Sequence, residues 1–531
     1  MSRNVGRVWG WMVVAALVLA SASPVLAQKQ GGVLRGVLTE TWPSLSLHED
    51  ASVSTIWPVI PMYSNLLIYD PAKLTDGQPT LVGELAESWA WSDGGKRLTF
   101  KLRRGVTWHD GKPFSSADVK YTLDLVRDLT EKRLKLNPRK QWYANVTEVV
   151  TDGDFTVALV LKQPQPGLLN LLASAYGPIY PAHVDPAELR TRAVGTGPFM
   201  LKEAVPEQKI VMVRNPNYFV KGRPYLDGLE YAVIKSRPSR QAALQAGQID
   251  MGFPTDGSVL QRDALKQSNP TMQVVEIPQG LNDNVLINTK RAPFDNVKVR
   301  RAIALALDRA GLIKSIHRGA AIQGGAALPP PYGLWGLTAK QLEDLPGYGD
   351  PAKQKAEARK LLAEAGFDAS HPLKATVSTR TQDIYVDIAT WGVGELKAVG
   401  IDATLEQVES VQWFGRLARR DFQIAINVTR VAADDPDANL AENYSCGSQR
   451  NYTDYCNPEV EALFDRVSRE TNFTARRTLV REIDRRLQLD VARPILVHRL
   501  DIQFYAPYVK GIRPHYNLNS SGRMSEVWLD Q

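Results

Sequence analysis

Leu98-Thr-Phe-Lys-Leu-Arg-Arg-Gly-Val-Thr-Trp-His-Asp-Gly-Lys-Pro-Phe114, running into Ser115-Ser-Ala-Asp118, is the stretch on which the fold turns. Leu98, Phe100 and Leu102 alternate with polar residues, the period of a half-buried strand. Upstream, Trp89 leads to Asp93-Gly94-Gly95, a turn, so Trp89 to Arg103 is expected to be a hairpin. Downstream, Ser115 and Asp118 have capping-box spacing, and Val119, Leu123 and Val126 continue at helical spacing. Between strand and helix sits His109-Asp110-Gly111. It could serve as an acid–base pair, but Asp-Gly at a strand-to-helix junction is turn chemistry, and we read it as structural.

Working outward, Gly32 to Thr39 and Phe155 to Leu161 read as strands, and Gly195-Thr-Gly-Pro-Phe199 as a tight turn. Residues 56–69 suit a helix leading into a short extended segment. Ser239 to Ala246 should be helical, ended by Gly247. From about residue 285 the helices become longer and better capped. Asn296 to Asp308, a helix opened by Asp350-Pro351 and closed by Gly366, residues 384–399, one opened by Asn457-Pro458, and residues 474–489 are all expected helical, with Ile401 to Val408 a strand. Helices alternating with strands place this half in the α/β class.

The N-terminus carries Arg3 and Arg7, an apolar run from Val8 to Ala20, Pro24, and Val25-Leu26-Ala27. That order is a secretory signal peptide, 1–27, with cleavage expected between Ala27 and Gln28. The run is too short to span a bilayer. No cysteine lies near the cleavage point to take a lipid anchor. The mature chain is therefore expected to be soluble in a periplasm. The formal charge of +7 falls by two when Arg3 and Arg7 leave with the leader. The remaining charges are interspersed, so a nucleic-acid partner, which needs a basic cluster, is not expected. Cys446 and Cys456 fall in one polar stretch, and in an oxidising compartment they are expected to pair.

Local catalytic signatures are missing. Seven scattered histidines give no H-E-x-x-H, and no nucleophile elbow or phosphate-binding glycine loop occurs. Neither an enzyme, a resident metal nor a cofactor is expected. A distant-residue triad stays open as a rival, since catalytic groups need not be neighbours in sequence.

Leu85-Ala-Glu-Ser-Trp89, the Leu98–Phe114 stretch and Ala117-Asp-Val119 resemble the signature of family 5 extracellular solute-binding proteins, the oligopeptide, dipeptide and nickel group that feeds ABC importers. Gly195 to Phe199, Arg214-Asn-Pro-Asn-Tyr218, Ala243 to Asp250, Asn288 to Asp295, Val299 to Ile303 and Val527-Trp-Leu529 are similar to further parts of that pattern. The resemblance implies an α/β, type II-like two-lobed clamp. Lobe I would be 28–67 with 195–284 and 503–531, carrying an inserted subdomain at 68–194. Lobe II would be 285–502, and the chain would cross between lobes near Leu281–Asn288 and Leu496–Tyr505. It also implies a small-molecule or peptide ligand in the interlobe cleft, inner-membrane ABC permease subunits as partners, and a monomer.

By the same resemblance, three stretches would line the cleft: Thr39 to Trp42, the surroundings of Trp413, and Asn427-Val-Thr-Arg-Val-Ala-Ala-Asp-Asp-Pro436. Trp413 and Trp42 could stack on a ligand or pack within their own lobe. Thr41 would be an ordinary loop hydroxyl unless the cleft exposes it. Asn427 could donate to a ligand or end its strand, and Arg430 could hold a carboxylate or pair at the surface. Peptide-binding relatives place an ammonium-binding aspartate four residues before the loop proline. Here that position is Ala432, and Asp434 and Asp435 stand two and one residues before Pro436. Either one of them substitutes, or the ligand is not held by an ammonium, as with a sugar, an opine-like compound or a metal chelate.

Overall fold

Strands Ala86–Ser92 and Arg97–Leu102 pair antiparallel, with Trp89 opposite Phe100 and a turn at Asp93–Gly95. This hairpin is half of a four-stranded sheet completed by Thr156–Leu161 and Val146–Thr151. Leu98, Phe100 and Leu102 all point into the core, as their alternation requires. Helix Ser116–Val126 covers the sheet, and its capping box forms: the Ser115 hydroxyl accepts from the helix backbone while Asp118 accepts from Ser115 N. The computed structural model describes residues 28–49, 53–70, 80–254, 256–330, 332–430, 433, 435–513 and 522–531. The leader with Ala27, and Asp434, lie outside the described residues.

His109 is a structural residue. Its Nδ1 accepts from Gly195 N at 3.3 Å, so its Nε2 donates to the Gly197 carbonyl at 3.1 Å. Burial lowers its pKa to about 4, which keeps it neutral. It thereby ties the hairpin region to the turn at 195–197. The glycines of that turn are dictated by space: a Cβ on Gly195 would stand 1.9 Å from the Met62 carbonyl oxygen, and one on Gly197 2.5 Å from that of Pro61.

A second four-stranded sheet has the order Val33–Leu38, Gly228–Val233, Lys209–Arg214, Phe199–Val205, with only the first pair parallel. A six-stranded sheet dominates the second half. Its order is Ala321–Ile322, Ile495–Tyr505, Gln273–Ile287, Ile424–Arg430, Lys374–Arg380, Asp402–Val408. The last three strands run parallel, and helix Asp383–Lys397 packs against them. Capping sets the flanking helices: Asp350 accepts from Lys353 N, Asn457 from Glu459 N and Asn472 from Ala475 N. Each such cap contributes about 0.5–2 kcal/mol.

Two main hydrophobic cores result. One joins the two four-stranded sheets, so residues 86–161 have their own sheet but share the apolar core of Leu34 and Leu38. The other fills the six-stranded sheet and its helices. Strands Gln273–Ile287 and Ile495–Tyr505 serve both. Their Val274, Ile502 and Phe504 pack in the first core, and their Val285, Ile287, Leu496 and Val497 in the second. The first of these strands begins at Gln273, which the ladder pairs with Tyr505. Register slips between Pro278 and Asn282, where proline offers no N–H to the ladder.

Cys446 and Cys456 are bonded, their Cα atoms 4.8 Å apart, and Asn451 Nδ2 fills the loop by donating to the carbonyls of Tyr444, Ser445 and Tyr455. Thiol titration of the denatured, unreduced protein should find no free thiol. Reduction should lower the unfolding midpoint, since closing so short a loop contributes about 2–3 kcal/mol in the chain-entropy model.

Candidate functional site

In a sheet of this kind the usable crevice lies beyond the carboxyl ends of the parallel strands. Here those ends are Arg380, Val408 and Arg430. Arg430 pairs in register with Leu281 of the crossing strand, so this edge faces the first core. The chain beyond Arg430 returns to that core: Ala433 and Ala438 are buried in it. From the other side comes Tyr176, with the Arg139 guanidinium 3.6 Å over its ring. Tyr176 is buried and lies in the fields of Arg430, Arg450 and Glu442 as well as Arg139.

The charges here are mostly guanidinium. The Tyr385 ring lies between Arg380, at 4.1 Å, and Arg499, at 5.3 Å. Such stacking holds a cation over the ring while leaving its N–H edge available. Arg499 is spent on Asp283 in a two-pronged pair at 2.7 and 2.5 Å. Arg450 is held by Glu442 at 2.9 Å. Arg430 is half-buried, and Asp501 is the first charge that offsets its desolvation. Arg380 differs: its Nη2 is buried and makes no hydrogen bond. Asp501 differs too: its Oδ2 is buried and unbonded, and burial pushes its pKa up to about 7 against the opposing pull of Arg430 and Arg499. A free guanidinium nitrogen and a free carboxylate oxygen therefore share one neighbourhood. Each costs stability unless something pairs with it.

The residues expected at the cleft are distributed otherwise. Trp413 is fully buried and gives its indole N–H to Asn427 Oδ1 at 3.2 Å. These two satisfy each other inside a small cluster with Leu286, Leu417 and Phe422, so Trp413 has no face to offer a ligand and Asn427 no free side-chain oxygen. Trp42 is 8 % exposed and packs in the first core. Thr41 Oγ1 accepts from Glu207 N at 3.2 Å, an ordinary loop bond. Arg430 is the one brought to the strand edge. Asp435, weighed as a ligand carboxylate, is fully buried instead. Arg476 donates to both of its oxygens, at 2.8 and 2.9 Å, and Asn170 Nδ2 adds a bond at 3.1 Å. Removing one partner of such a pair costs about 3–5 kcal/mol. Asp437 shares Arg476, and burial, with Asp435 beside it, raises its pKa to about 6.

The residues 80–451 match the model of the bacterial extracellular solute-binding proteins, family 5. The chain belongs to that family. Among relatives of this solute-binding protein, a probable di/tripeptide-binding protein 5 of Pseudomonas aeruginosa is 26 % identical over 491 residues, covering 85 % of this chain and 88 % of the relative. The dipeptide-binding protein of Escherichia coli is 25 % identical over 489 residues, covering 86 % and 85 %. In fold it is similar to the ABC transporter-associated periplasmic binding protein DppA of Helicobacter pylori, solved with the peptide STSA. That match has a TM-score of 0.81, 22 % identity, and covers 95 % of this chain and 99 % of the other. Among the described residues no helix is long and apolar enough to cross a membrane.

Sequence reading missed Arg380, Tyr385, Asp501 and Tyr176. Arg380 had a usable signal, since it ends the strand Val377-Ser-Thr-Arg380 just before a helix. The others come together only through packing.

Two measurements check this picture. Trp413→Phe should lower stability by about 1–3 kcal/mol in chemical denaturation, because Asn427 Oδ1 is left buried without a donor. A carboxyl whose pKa is raised by folding costs stability as pH climbs from its unfolded to its folded value, and costs nothing below the unfolded value. Asp501→Asn should therefore be more stable than wild type at about pH 8, with the gap narrowing as pH falls and closing only near about pH 4. Parallel curves at both pH values would contradict the raised pKa of Asp501.

Proposed function

We propose that this protein is the capture subunit of an ABC importer, free in the periplasm as a monomer. It closes two lobes on a small carboxylate-bearing solute, a short peptide in the first instance, and presents it to the membrane permease subunits. Lobe I is 28–67, 195–284 and 503–531, with 68–194 inserted, and lobe II is 285–502. The two crossing strands are the hinge, and ligand bound to both lobes favours the closed state by its extra contacts there. The protein carries out no chemistry on its ligand.

The observation that carries the carboxylate is the buried, unbonded Nη2 of Arg380, stacked on Tyr385 beside Arg430 at the carboxyl ends of parallel strands. A carboxylate is the ligand group that a planar guanidinium edge receives best. The peptide reading adds the names of the relatives, which bind di- and tripeptides. For a peptide ammonium the loop still offers Asp434. A second reading is favoured by Ala432 and by the commitment of Asp435 to Arg476: a carboxylate solute without an N-terminal ammonium.

A thermal-shift panel separates these. Di- and tripeptides are compared with their N-acetylated and C-amidated forms. Amidation should weaken binding by about tenfold or more, the value of a charge-assisted hydrogen bond. Arg380→Gln should erase the difference between acid and amide. Equal stabilisation by acid and amide would refute the Arg380 assignment. Acetylation should weaken binding in wild type but not in Asp434→Asn. Indifference to acetylation in both proteins would select the second reading.

A further inference from the structure

Gly167 precedes helix Leu168–Ala173, in the segment assigned to the inserted part of lobe I. Its backbone, at φ −67° and ψ −16°, is one that any residue adopts. Conformation therefore does not call for glycine there, but space does. A Cβ on Gly167 would stand 2.5 Å from Oδ1 of Asp435 and 2.9 Å from its Cγ and Oδ2. Three residues on, Asn170 Nδ2 donates to Oδ2 of the same carboxylate at 3.1 Å. Asp435 comes from the other half of the molecule. It follows strand Ile424–Arg430 and is fully buried.

The carboxylate is set from its own side before it meets Gly167. Arg476 grips both oxygens, gives its Nε–H to the Val467 carbonyl at 3.0 Å, and lies 5.1 Å over the Trp335 ring. Asp437 N adds a bond to Oδ1 at 3.0 Å. Every one of these partners lies within 285–502. Ala433 and Ala438, on either side, are buried in the core of the first half. A pre-charged knob on one half thus sits in a glycine-sized notch on the other, and among the described residues its hydrogen bonds do not involve Arg380 or Arg430.

We propose that Asp435, preset by Arg476, is a ligand-independent latch that holds the clamp shut by docking on Gly167 and Asn170. The latch rests on the two-lobed reading above. It makes the closed state stable in part through protein–protein contact, so ligand affinity depends on residues that never touch the ligand. By linkage, weakening the latch lowers apparent affinity by the factor by which it depletes the closed state.

The test compares wild type with Gly167→Ala, which overfills the notch, and Asn170→Ala, which removes one bond without adding bulk. The probe is whichever peptide of the panel stabilises wild type most. Closure is read from distances between spin labels at exposed positions Leu136 and Lys360, with the native disulfide left intact. Gly167→Ala should raise the probe's Kd by roughly tenfold or more, as overpacking of a tight contact does, and shift the distance distribution toward its longer population. Asn170→Ala should do the same more weakly. Ligand-free unfolding midpoints should fall less than those of the complex, because the ligand-free protein includes an open state that lacks the contact. Wild-type affinity in both variants would overturn the latch. So would a ligand-free midpoint that falls as far as that of the complex, which would make the contact merely structural. A single distance population in wild type, with and without probe, would instead refute the two-lobed clamp itself.

Discussion

Everything in this molecule hangs on one backbone ladder. Gln273–Ile287 and Ile495–Tyr505 pair antiparallel over most of their length and lend side chains to both main cores. Their amides must stay paired because the ladder is buried, and an unpaired buried amide costs as much as a lost hydrogen bond. Yet the register of the ladder shifts at two places, between Pro278 and Asn282, where the first core gives way to the second, and between Asp283 and Asn284. Just beyond, the strands carry buried polar groups in an otherwise apolar setting: Asp283 with Arg499, Asn284 with Thr429, and His498 with the Gly325 carbonyl. Polar groups thus line the ladder where one core gives way to the other.

The candidate site follows from where that ladder puts the parallel strands. Three strand ends open toward the other half, and the side chains gathered there are mainly arginines. Burial of so many guanidinium groups is tolerated because most are committed. Asp283 holds Arg499, Glu442 holds Arg450, and Asn443 and Asn284 receive Arg493. Among the described residues, one nitrogen of Arg380 and one oxygen of Asp501 stay buried without a hydrogen bond, and they bear on the chemistry the site can accept. The loop that follows Arg430 divides its labour. Its Ala433 and Ala438 pack in the first core, and its Asp435 is fixed by Arg476, so the segment expected to grip a ligand also joins the halves.

Local features were legible in the sequence. The Asp93–Gly95 turn, the Ser115–Asp118 capping box and the helix starts at Asp350 and Asn457 all depend on residues within a few positions of one another, and all formed where their spacing put them. The long crossing strands were less legible. Gln273–Ile287 contains Pro278 and Gly280 and a polar run from Asn282 to Asn284, which breaks the alternation that marks a strand. It is a strand because neighbours on both sides supply its hydrogen bonds. The same reason hid the packing of Trp413 and the pairing of Asp435. An exposed tryptophan and a buried one look alike in sequence, and Asp435 is paired with a residue 41 positions away.

By itself, then, the sequence determined the α/β class of the chain, its family resemblance and the pairing of Cys446 with Cys456. Each of these is written in composition or in short-range spacing. Only the tertiary structure decided which polar groups are already satisfied. Trp413 is matched by Asn427 and Asp435 by Arg476, while Arg380 and Asp501 each keep an open atom. The physical reason is that a hydrogen-bond donor or acceptor becomes costly, and hence available to a ligand, only when burial removes water and no neighbour replaces it. Burial and neighbours are both products of the fold.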